Sequence, residues 1–314
     1  MGTRPFPAIV RPVGRSLLRG WARTGRKASR LFKLVERWGP RLADQPLQTR
    51  LPNGCIVSCD LGEFIQRQIY FMGTFEPIES FLFTRLLRPG MTVIDAGANI
   101  GQYTLLAATA VGPAGQVHSF EPVPSTFARL QQHVAANRLD NVKINPMALW
   151  NEDSTVTLRL PREDVYNTGN WTVGTTESQS TPVSAEAIRL DGYVARYGLQ
   201  RIDVIKMDIQ GAEPFALAGA RKLLADWHPT IMMEIHRPSL RALGSSPEAV
   251  WEELSSLGYR AWRIRPSLKN SGAMPNLDGV EFENFFFHCA DLPIGVTSGW
   301  QRHVPKQWAC SGWS

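Results

Sequence analysis

The chain has 314 residues, of which 43% are hydrophobic and 20% are charged. These values are typical of a globular protein and leave room for one large α/β domain with extensions. No stretch reaches the ~20 apolar residues of a membrane-spanning helix. The longest fairly apolar stretch, 96–111, is interrupted by Asn99 and Gln102.

Basic residues are concentrated at the start of the chain. Residues 1–50 contain 12 Lys and Arg against 2 Asp and Glu, whereas the rest of the chain contains 22 against 26. We therefore predict a basic extension at 1–50, a main domain at 51–290 and a tail at 291–314. The extension has a candidate helix at 15–38, which either contacts an anionic membrane or another anionic partner, or is a solvated basic segment.

The cysteines are sparse, no pair has the C-x-x-C spacing, and no histidine is suitably placed beside them for a zinc site. They are Cys55, Cys59, Cys289 and Cys310. Sparse cysteines are typical of a reducing compartment, and the first residues lack the apolar region of a secretory signal. We expect a cytoplasmic protein that its basic extension can bring to a membrane surface.

Predicted strands and helices alternate through most of the chain. A hairpin or edge strand at 51–61 and a helix at 75–87 come first. Strands follow at 91–95, 116–120, 142–148, 202–207 and 230–235, with helices at 101–111, 125–137 and 214–226. This alternation predicts a Rossmann-like, doubly wound α/β fold with a mostly parallel sheet.

The remaining segments complete the predicted domain. An extra strand is predicted at 155–160, and the polar segment 161–182 has the length of a binding loop. Near the end of the chain, a helix at 247–257 precedes strands at 259–264 and 282–288. Because too few residues separate these two strands for a crossover helix, we expect an antiparallel hairpin.

The most informative motif is the run Val93-Ile94-Asp95-Ala96-Gly97-Ala98-Asn99-Ile100-Gly101. A small apolar strand ends in a carboxylate, and a turn with two glycines leads into an amphipathic helix. In doubly wound sheets this unit receives an adenine-containing ligand, and Gly97 and Gly101 let the ligand approach the backbone. Glu121 follows the next strand, at the ~20-residue distance where an acid accepts hydrogen bonds from ribose. The motif therefore predicts a nucleoside ligand.

The glycine spacing favours a ligand without phosphate. A dinucleotide site reads G-x-G-x-x-G, whereas this chain has Asp95-x-Gly97-x-x-x-Gly101. An acid before the turn would repel a pyrophosphate, but it suits the ammonium and sulfonium of S-adenosylmethionine. Asp95 either contacts this ligand or caps the loop. We also assign Asn99 and Tyr103 to the methionine end, with packing inside the helix as the alternative for Tyr103.

Polar side chains at the ends of two later strands are candidates for catalysis. Asp208 follows the fourth parallel strand, which should lie beside the first, and it can act as a base or orient a hydroxyl. Its alternative role is to cap the next helix. Lys206 can take part in catalysis or pair with a neighbouring carboxylate. Glu234 and His236 end the fifth strand, where we expect them to lie beside Asp208, and they are further candidates. Their spacing does not require a metal ion, and we assign none.

Two long runs carry a family resemblance. They are Val93 to Leu105 and Lys206-Met207-Asp208-Ile209-Gln210-Gly211-Ala212-Glu213. Smaller matches are Ser119-Phe120-Glu121-Pro122, Gly73-Thr74-Phe75-Glu76-Pro77, Leu190-Asp191 and Met233-Glu234-Ile235. In order and spacing, these runs resemble the FkbM-type methyltransferase family over residues 51–290. The resemblance implies the class I methyltransferase fold.

The resemblance also implies S-adenosylmethionine-dependent methylation, typically of a hydroxyl oxygen on a sugar, glycolipid or polyketide-like product. From the smaller matches we assign Glu76 to the cofactor site, and we expect segments 73–77 and 161–182 to shape the substrate pocket. The chain departs from the family at Gln210, where members usually have Glu. If that carboxylate were a base or a ligand, Gln210 could not replace it.

Three other functions stay open. A nicotinamide-dependent oxidoreductase would fit the fold but not the glycine spacing. A nucleic-acid methyltransferase would use the basic extension. However, the run Asp208-Ile209-Gln210-Gly211 differs from the (Asp/Asn/Ser)-Pro-Pro-(Tyr/Phe) run of amino-methylating enzymes, so we expect no specific nucleic-acid partner. A non-catalytic nucleoside-binding protein would explain Gln210. The acceptor that we expect is a small molecule or a glycan.

Overall fold

A computed structural model describes residues 45–160, 171–174, 181–264 and 273–291. The helices of this part are α1 Phe64–Met72, α2 Pro77–Leu86, α3 Gln102–Val111, α4 Pro124–Ala136, α5 Leu190–Tyr197, α6 Glu213–Ala218, α7 Arg221–Trp227, α8 Arg237–Ala242 and α9 Pro247–Ser256. The strands are β1 Leu47–Arg50, β2 Ile56–Cys59, β3 Thr92–Ala96, β4 Gln116–Phe120, β5 Val142–Asn145, β6 Met147–Leu149, β7 Ser154–Arg159, β8 Thr172–Val173, β9 Val183–Ile188, β10 Val204–Met207, β11 Thr230–His236, β12 Arg260–Arg263 and β13 Phe282–His288.

Seven strands form the central sheet, in the order β12-β13-β11-β10-β3-β4-β5. The five strands from β11 to β5 are parallel, and β13 runs antiparallel to both of its neighbours. The chain order switches between β3 and β10, which is where doubly wound sheets bind ligands. The predicted Rossmann-like, mostly parallel sheet with an antiparallel C-terminal hairpin is confirmed, as is the class I methyltransferase fold.

The two faces of the central sheet carry separate hydrophobic cores, because neighbouring residues of a strand point to opposite faces. Ile94 and Ile205 lie in one core, whereas Val93 and Val204 lie in the other. Helices cover both faces, so the parallel strands are buried on both sides. Polar side chains can therefore reach a ligand only where the strands end.

A second sheet has the strand order β6-β9-β7-β8. The sequence predicted one strand at 142–148, and this was wrong, because β5 belongs to the central sheet and β6 to the second sheet. Pro146 lies between them and interrupts the ladder, since it has no N–H to donate. The extra strand predicted at 155–160 is confirmed as β7, but its partner β9 was not predicted.

The helix predicted at 214–226 is divided into α6 and α7 at Gly219. A Cβ at Gly219 would lie 1.9 Å from the carbonyl oxygen of Trp150. The backbone of this segment thus packs directly on the backbone that follows β6, and the first helix ends at the contact. Helices α1, α5 and α8 were also not predicted.

The hairpin of β1 and β2 is confirmed, but it begins at Leu47 and not at residue 51. The side chain of Asn53, in the turn, donates to the carbonyl oxygen of Leu105 at 2.9 Å and so ties the hairpin to α3. The predicted boundary between residues 50 and 51 therefore falls at the end of β1. The division into extension, domain and tail stays a prediction, because residues 1–44 and 292–314 lie outside the described residues.

Several predictions concern parts of the chain that the structure does not describe. The candidate helix at 15–38 is one of these, and most of the loop 161–182 is another. Among the helices of the described ranges, none is long and apolar enough to span a membrane. The cytoplasmic location and the membrane contact stay predictions.

Candidate active site

A cavity of about 330 Å³ opens at the carboxyl ends of β3, β4, β10 and β11. Loop 96–101, helix α1 and the second sheet supply further walls. This position and volume are typical of a small-molecule site in a doubly wound sheet. The sequence-predicted site residues that line it are Glu76, Gly97, Asn99, Tyr103, Glu121, Lys206, Asp208, Glu234 and His236.

The backbone N–H groups of the loop between β3 and α3 are used inside the protein. Those of residues 97 and 98 donate to the carbonyl oxygen of Phe120 at 3.0 Å, and those of residues 99, 100 and 101 donate to Glu121, Asn99 and Ala98. A dinucleotide site binds its pyrophosphate through free N–H groups of such a turn. Since these five N–H groups are occupied, the loop favours a ligand without phosphate, in agreement with the glycine spacing.

The two glycines of the loop are required by packing within the protein. Both have positive φ, +75° for Gly97 and +97° for Gly101, a region that favours glycine. A Cβ at Gly97 would lie 1.9 Å from the carbonyl oxygen of Asp208, and one at Gly101 would lie 2.6 Å from a methyl carbon of Leu130. The sequence explained both glycines by ligand approach, but the loop first has to fit against the end of β10 and against α4.

Glu121 connects the glycine loop to β4. Its Oε2 accepts the N–H of Asn99 and its Oε1 accepts the N–H of Val123, both at 2.9 Å. Burial raises the pKa of this carboxyl to about 7, although the two hydrogen bonds act in the opposite direction. Carboxyl oxygens can accept more than one hydrogen bond. Glu121 can therefore hold the loop and accept from a ribose hydroxyl at the same time.

Asp95 lies behind the cavity wall and does not line it. Its Oδ2 accepts the Thr104 hydroxyl at 2.6 Å, and that hydroxyl lies 2.8 Å from Ser119 Oγ. Its Oδ1 has no hydrogen-bond partner, and burial raises the pKa of the carboxyl. Asp95 thus links β3 to α3. Its contact with a ligand stays a prediction, as does that of Gly101, which also lies behind the wall.

Asp208, Lys206, Gln210 and Glu234 form one hydrogen-bonded cluster. Asp208 Oδ2 lies 3.3 Å from Lys206 Nζ, which is the ion pair that the sequence offered as the alternative role of Lys206. Asp208 Oδ1 accepts Gln210 Nε2 at 2.8 Å, and the same nitrogen donates to Glu234 Oε2 at 2.9 Å. The predicted neighbourhood of Asp208 and Glu234 is confirmed, because β10 and β11 are adjacent parallel strands.

The charges of this cluster shift each other's protonation. Burial alone would lower the pKa of Lys206, but the carboxylates of Asp208, Asp95 and Glu76 outweigh it and raise that pKa. Burial, with the charge of Asp208 next in size, raises the pKa of Glu234 well above its usual value. Glu234 therefore favours its protonated form.

Glu76 reaches the cavity from the segment before α2. The Tyr103 hydroxyl donates to its Oε2 at 2.9 Å, and the Asn284 amide donates to its Oε1 at 3.2 Å. Burial and the charge of Asp208 raise the pKa of Glu76. The ring centroid of Tyr103 also lies 4.8 Å from Lys206 Nζ. Tyr103 thus packs against Phe83 of α2, with 5.2 Å between the ring centroids, and also lines the cavity.

His236 and Phe282 lie together at another part of the cavity wall. His236 Nδ1 is 2.6 Å from Ser239 Oγ, and the ring stands edge-on to Phe282 with 5.5 Å between centroids. Phe282 is 58% exposed, which is unusual for a large aromatic side chain in the described part of the chain. The sequence analysis did not predict Phe282 as a site residue, because the exposure of a side chain at the end of a strand leaves no pattern in the sequence.

Strained backbone is concentrated at the cavity. Five described residues other than glycine have positive φ, and three of them, Glu76, Asn99 and Gln210, line the cavity. Their φ angles are 45°, 50° and 54°. Such conformations persist where surrounding structure enforces them, and they cluster at functional sites. This observation marks Gln210 as part of the site, although the sequence presented it only as a departure.

A family model of the methyltransferase FkbM domain matches residues 95–261. The match spans more than half of the chain, and the chain belongs to this family of methyltransferases. Its cofactor is S-adenosylmethionine. The predicted family and cofactor are thereby confirmed.

Individual proteins show weaker similarity. The chain is 28% identical over 219 residues to 31-O-demethyl-FK506 methyltransferase FkbM of Streptomyces tacrolimicus, which covers 60% of this chain and 80% of that protein. It is 26% identical over 152 residues to 2-O-methyltransferase NoeI of Sinorhizobium fredii, which covers 44% and 61%. The crystal structure of methyltransferase FkbM from Methylobacillus flagellatus aligns at 16% identity and a TM-score of 0.39, over 84% of this chain and 60% of that one.

The cavity residues fit S-adenosylmethionine. Glu121 has carboxyl oxygens that can accept from ribose hydroxyls, and Asp208 adds a carboxylate to the same lining. Negative charge suits a ligand that carries an ammonium and a sulfonium. Lys206 is the one Lys or Arg side chain among the described residues of the lining, and it is already paired with Asp208.

Proposed function

We propose that this methyltransferase acts on a hydroxyl oxygen of a sugar, a glycolipid or another small natural product. The single observation that carries the proposal is the Asp208 cluster. It gathers a carboxylate, an amide and a lysine at the strand ends beside the glycine loop. A neutral hydroxyl needs an acceptor for its proton and donors for its oxygen, and this cluster can offer both.

The cofactor residues have separate roles in this proposal. Glu121 accepts from the ribose, and Asn99 and Gly97 form the wall beside it. Glu76 and Tyr103 bind the methionine portion. Asp95 and Gly101 act from behind the wall, by keeping the loop against β3 and α4. All of these side chains belong to the loop, to the ends of β3 and β4, or to elements packed on them.

The chemistry requires little of the protein beyond alignment and proton removal. When bound, S-adenosylmethionine supplies an electrophilic methyl group. The chain would have to orient the acceptor hydroxyl toward that methyl group and exclude water. Asp208 would accept the hydroxyl proton, and Lys206 would hold Asp208 in place. Glu234 and His236 orient the hydroxyl.

The names of two relatives support an oxygen acceptor. One is a 31-O-demethyl-FK506 methyltransferase and the other is a 2-O-methyltransferase. Both names describe transfer to oxygen, although the identities are 28% and 26%. We extend this feature to the present chain as part of the proposal.

The test combines cofactor binding with methyl transfer by the full-length chain. Calorimetry should detect S-adenosylmethionine but not NADH, and Glu121→Ala should abolish binding. Labelled methyl should then appear on oxygen in a panel of glycosides, glycolipids and hydroxylated natural products. Asp208→Asn should retain cofactor affinity and lose about 100-fold or more in rate, as expected when a proton acceptor is removed.

Each rival function predicts a different result in these assays. NADH binding would favour the oxidoreductase, and salt-sensitive binding of RNA with label on a base would favour the nucleic-acid enzyme. S-adenosylmethionine binding without transfer to any member of the panel would favour the non-catalytic protein. An Asp208→Asn variant with an unchanged rate would remove Asp208 from the proposed chemistry.

A further inference from the structure

Gln210 joins two carboxyl groups that come from different strands. Its single side-chain nitrogen lies 2.8 Å from Asp208 Oδ1 and 2.9 Å from Glu234 Oε2. A primary amide nitrogen carries two hydrogens, so it donates one to each carboxyl. The two carboxyl oxygens are therefore held within a few ångströms of each other, with an uncharged donor between them.

The backbone fixes this bridge in place. Gln210 has φ +54°, and the following Gly211 has φ +98°. Glu213 accepts the N–H groups of Ile209 and Gly211 at 3.0 and 2.9 Å, which secures both sides of Gln210. A Cβ on Gly211 would lie 2.4 Å from the carbonyl oxygen of Ser239. The backbone on both sides of Gln210 is thus fixed by hydrogen bonds and by close packing.

The bridge lies in a region with more acids than bases. The titratable and charged groups that face it are Asp208, Lys206 and Glu213 around β10, Glu234 and His236 from β11, and Glu76 from the segment before α2. Lys206 contacts Asp208 Oδ2 at 3.3 Å, on the oxygen that Gln210 does not use. The space between Asp208 and Glu234 is therefore filled by the amide and not by the lysine.

Two carboxyl groups held this close repel each other when both are ionised, unless a proton, a hydrogen-bond donor or a hard cation lies between them. Carboxylate oxygens are the ligands that Mg²⁺ and Mn²⁺ prefer. We propose that Gln210 takes the place of a divalent cation between Asp208 and Glu234. It positions this pair for the substrate, and a carboxylate at position 210 would convert the bridge into a Mn²⁺ site. The inference concerns the arrangement of the carboxyls, so it does not depend on the identity of the acceptor.

The test compares full-length wild type with Gln210→Glu and with Gln210→Met, which has similar length but neither donor nor charge. The probe is Mn²⁺. Its binding is measured by calorimetry and by the loss of the electron paramagnetic resonance signal of the free ion. Gln210→Glu should bind one Mn²⁺ with a Kd of about 0.1 mM, as weak carboxylate sites do. Wild type and Gln210→Met should bind at least 10-fold more weakly, and adding Glu234→Gln to Gln210→Glu should remove the binding.

Thermal unfolding separates positioning from packing. Without metal, both variants should melt at a lower temperature than wild type, and the loss should be larger at pH 8 than at pH 5, because unbridged carboxylates repel each other. Mn²⁺ should restore Gln210→Glu but not Gln210→Met. Equal losses of melting temperature at both pH values would overturn the proposal, as would tight Mn²⁺ binding in wild type that requires Asp208. A Gln210→Glu chain that binds no Mn²⁺, or that stays unfolded in its presence, would also overturn it.

Discussion

Gly97 is the residue at which the cofactor loop meets the end of β10. Its φ is +75°, and an added Cβ would lie 1.9 Å from the carbonyl oxygen of Asp208. We expect Gly97→Ala to lower the free energy of unfolding by about 3 kcal/mol or more, since backbone strain and a backbone clash add together. Denaturant unfolding measures this loss, and calorimetry should show a parallel loss of S-adenosylmethionine binding.

Gly198 supplies a matched control for this substitution. It also has positive φ, +63°, with a ψ of 32°, but no atom lies within 4 Å of an added Cβ. Gly198→Ala should therefore cost only the conformational term, about 1–2 kcal/mol. Equal losses for the two variants would mean that the contact with Asp208 does not limit residue 97.

Individual residues of the site could be predicted where the motif is local. The loop from Asp95 to Gly101 and the acid Glu121 were recognisable because strand, turn and helix are continuous in the sequence. The bridge of Gln210 to Glu234 could not be predicted, because it joins residues 24 positions apart in sequence and depends on a strained turn. The reason for Gly97 was likewise hidden, since its contact comes from another strand.

At the scale of elements, His133 of α4 joins three parts of the structure. Its Nδ1 donates to the carbonyl oxygen of Ile100 in the cofactor loop, with 2.7 Å between the atoms. Its Nε2 accepts the N–H of Ser58 in β2 at 2.9 Å. This pattern requires the neutral ring, and burial lowers its pKa.

The consequence is a stability contribution that depends on pH. Below the unfolded pKa of about 6.5, the unfolded chain takes up a proton at this histidine and the folded chain does not. The contribution is therefore complete above pH 6.5 and decreases as pH falls. Comparing wild type with His133→Gln, the difference in free energy of unfolding should shrink from pH 7.5 to pH 5, by up to about 2 kcal/mol, the limit set by the unfolded pKa.

Wild type has to be compared with His133→Gln because the stability contribution of other buried groups changes with pH in the opposite direction. Burial raises the pKa of Glu121 and of Glu213 to about 7, so these carboxyls favour the folded chain more as pH falls toward 4.5. They contribute equally to wild type and to His133→Gln. Parallel stability curves for the two proteins would show that His133 does not carry the predicted linkage.

Elements with regular patterns were predicted, and those governed by tertiary contacts were not. Strand 116–120 and the hairpin of 259–264 with 282–288 were found in the structure because their apolar patterns are clear. Helix α1 was missed because Gln66, Arg67 and Gln68 are buried in it, so its polar residues do not mark an exposed face. The strand break at Pro146 and the helix break at Gly219 were missed because they depend on which sheet and which backbone segment lie opposite them in the fold.

At the scale of the whole molecule, the cavity is shared by several structural units. Loop 96–101 and the strand ends of the central sheet form one side. Met147 and Leu158 of the second sheet and Phe64 of α1 form others. A ligand that fills this cavity contacts residues of three hydrophobic cores at once. Cofactor binding should therefore stabilise them as one body.

This coupling predicts how the cofactor changes unfolding. A ligand at 100 times its Kd adds about 2.7 kcal/mol to the free energy of unfolding, which for a domain of this size raises Tm by about 5–10 °C. S-adenosylmethionine should produce this shift in a single transition, and NADH at the same concentration should not. Hydrogen exchange should slow in α1, in β6 and β7, and in the glycine loop. Slower exchange in the glycine loop alone would mean that the ligand binds to the central sheet without engaging the other walls.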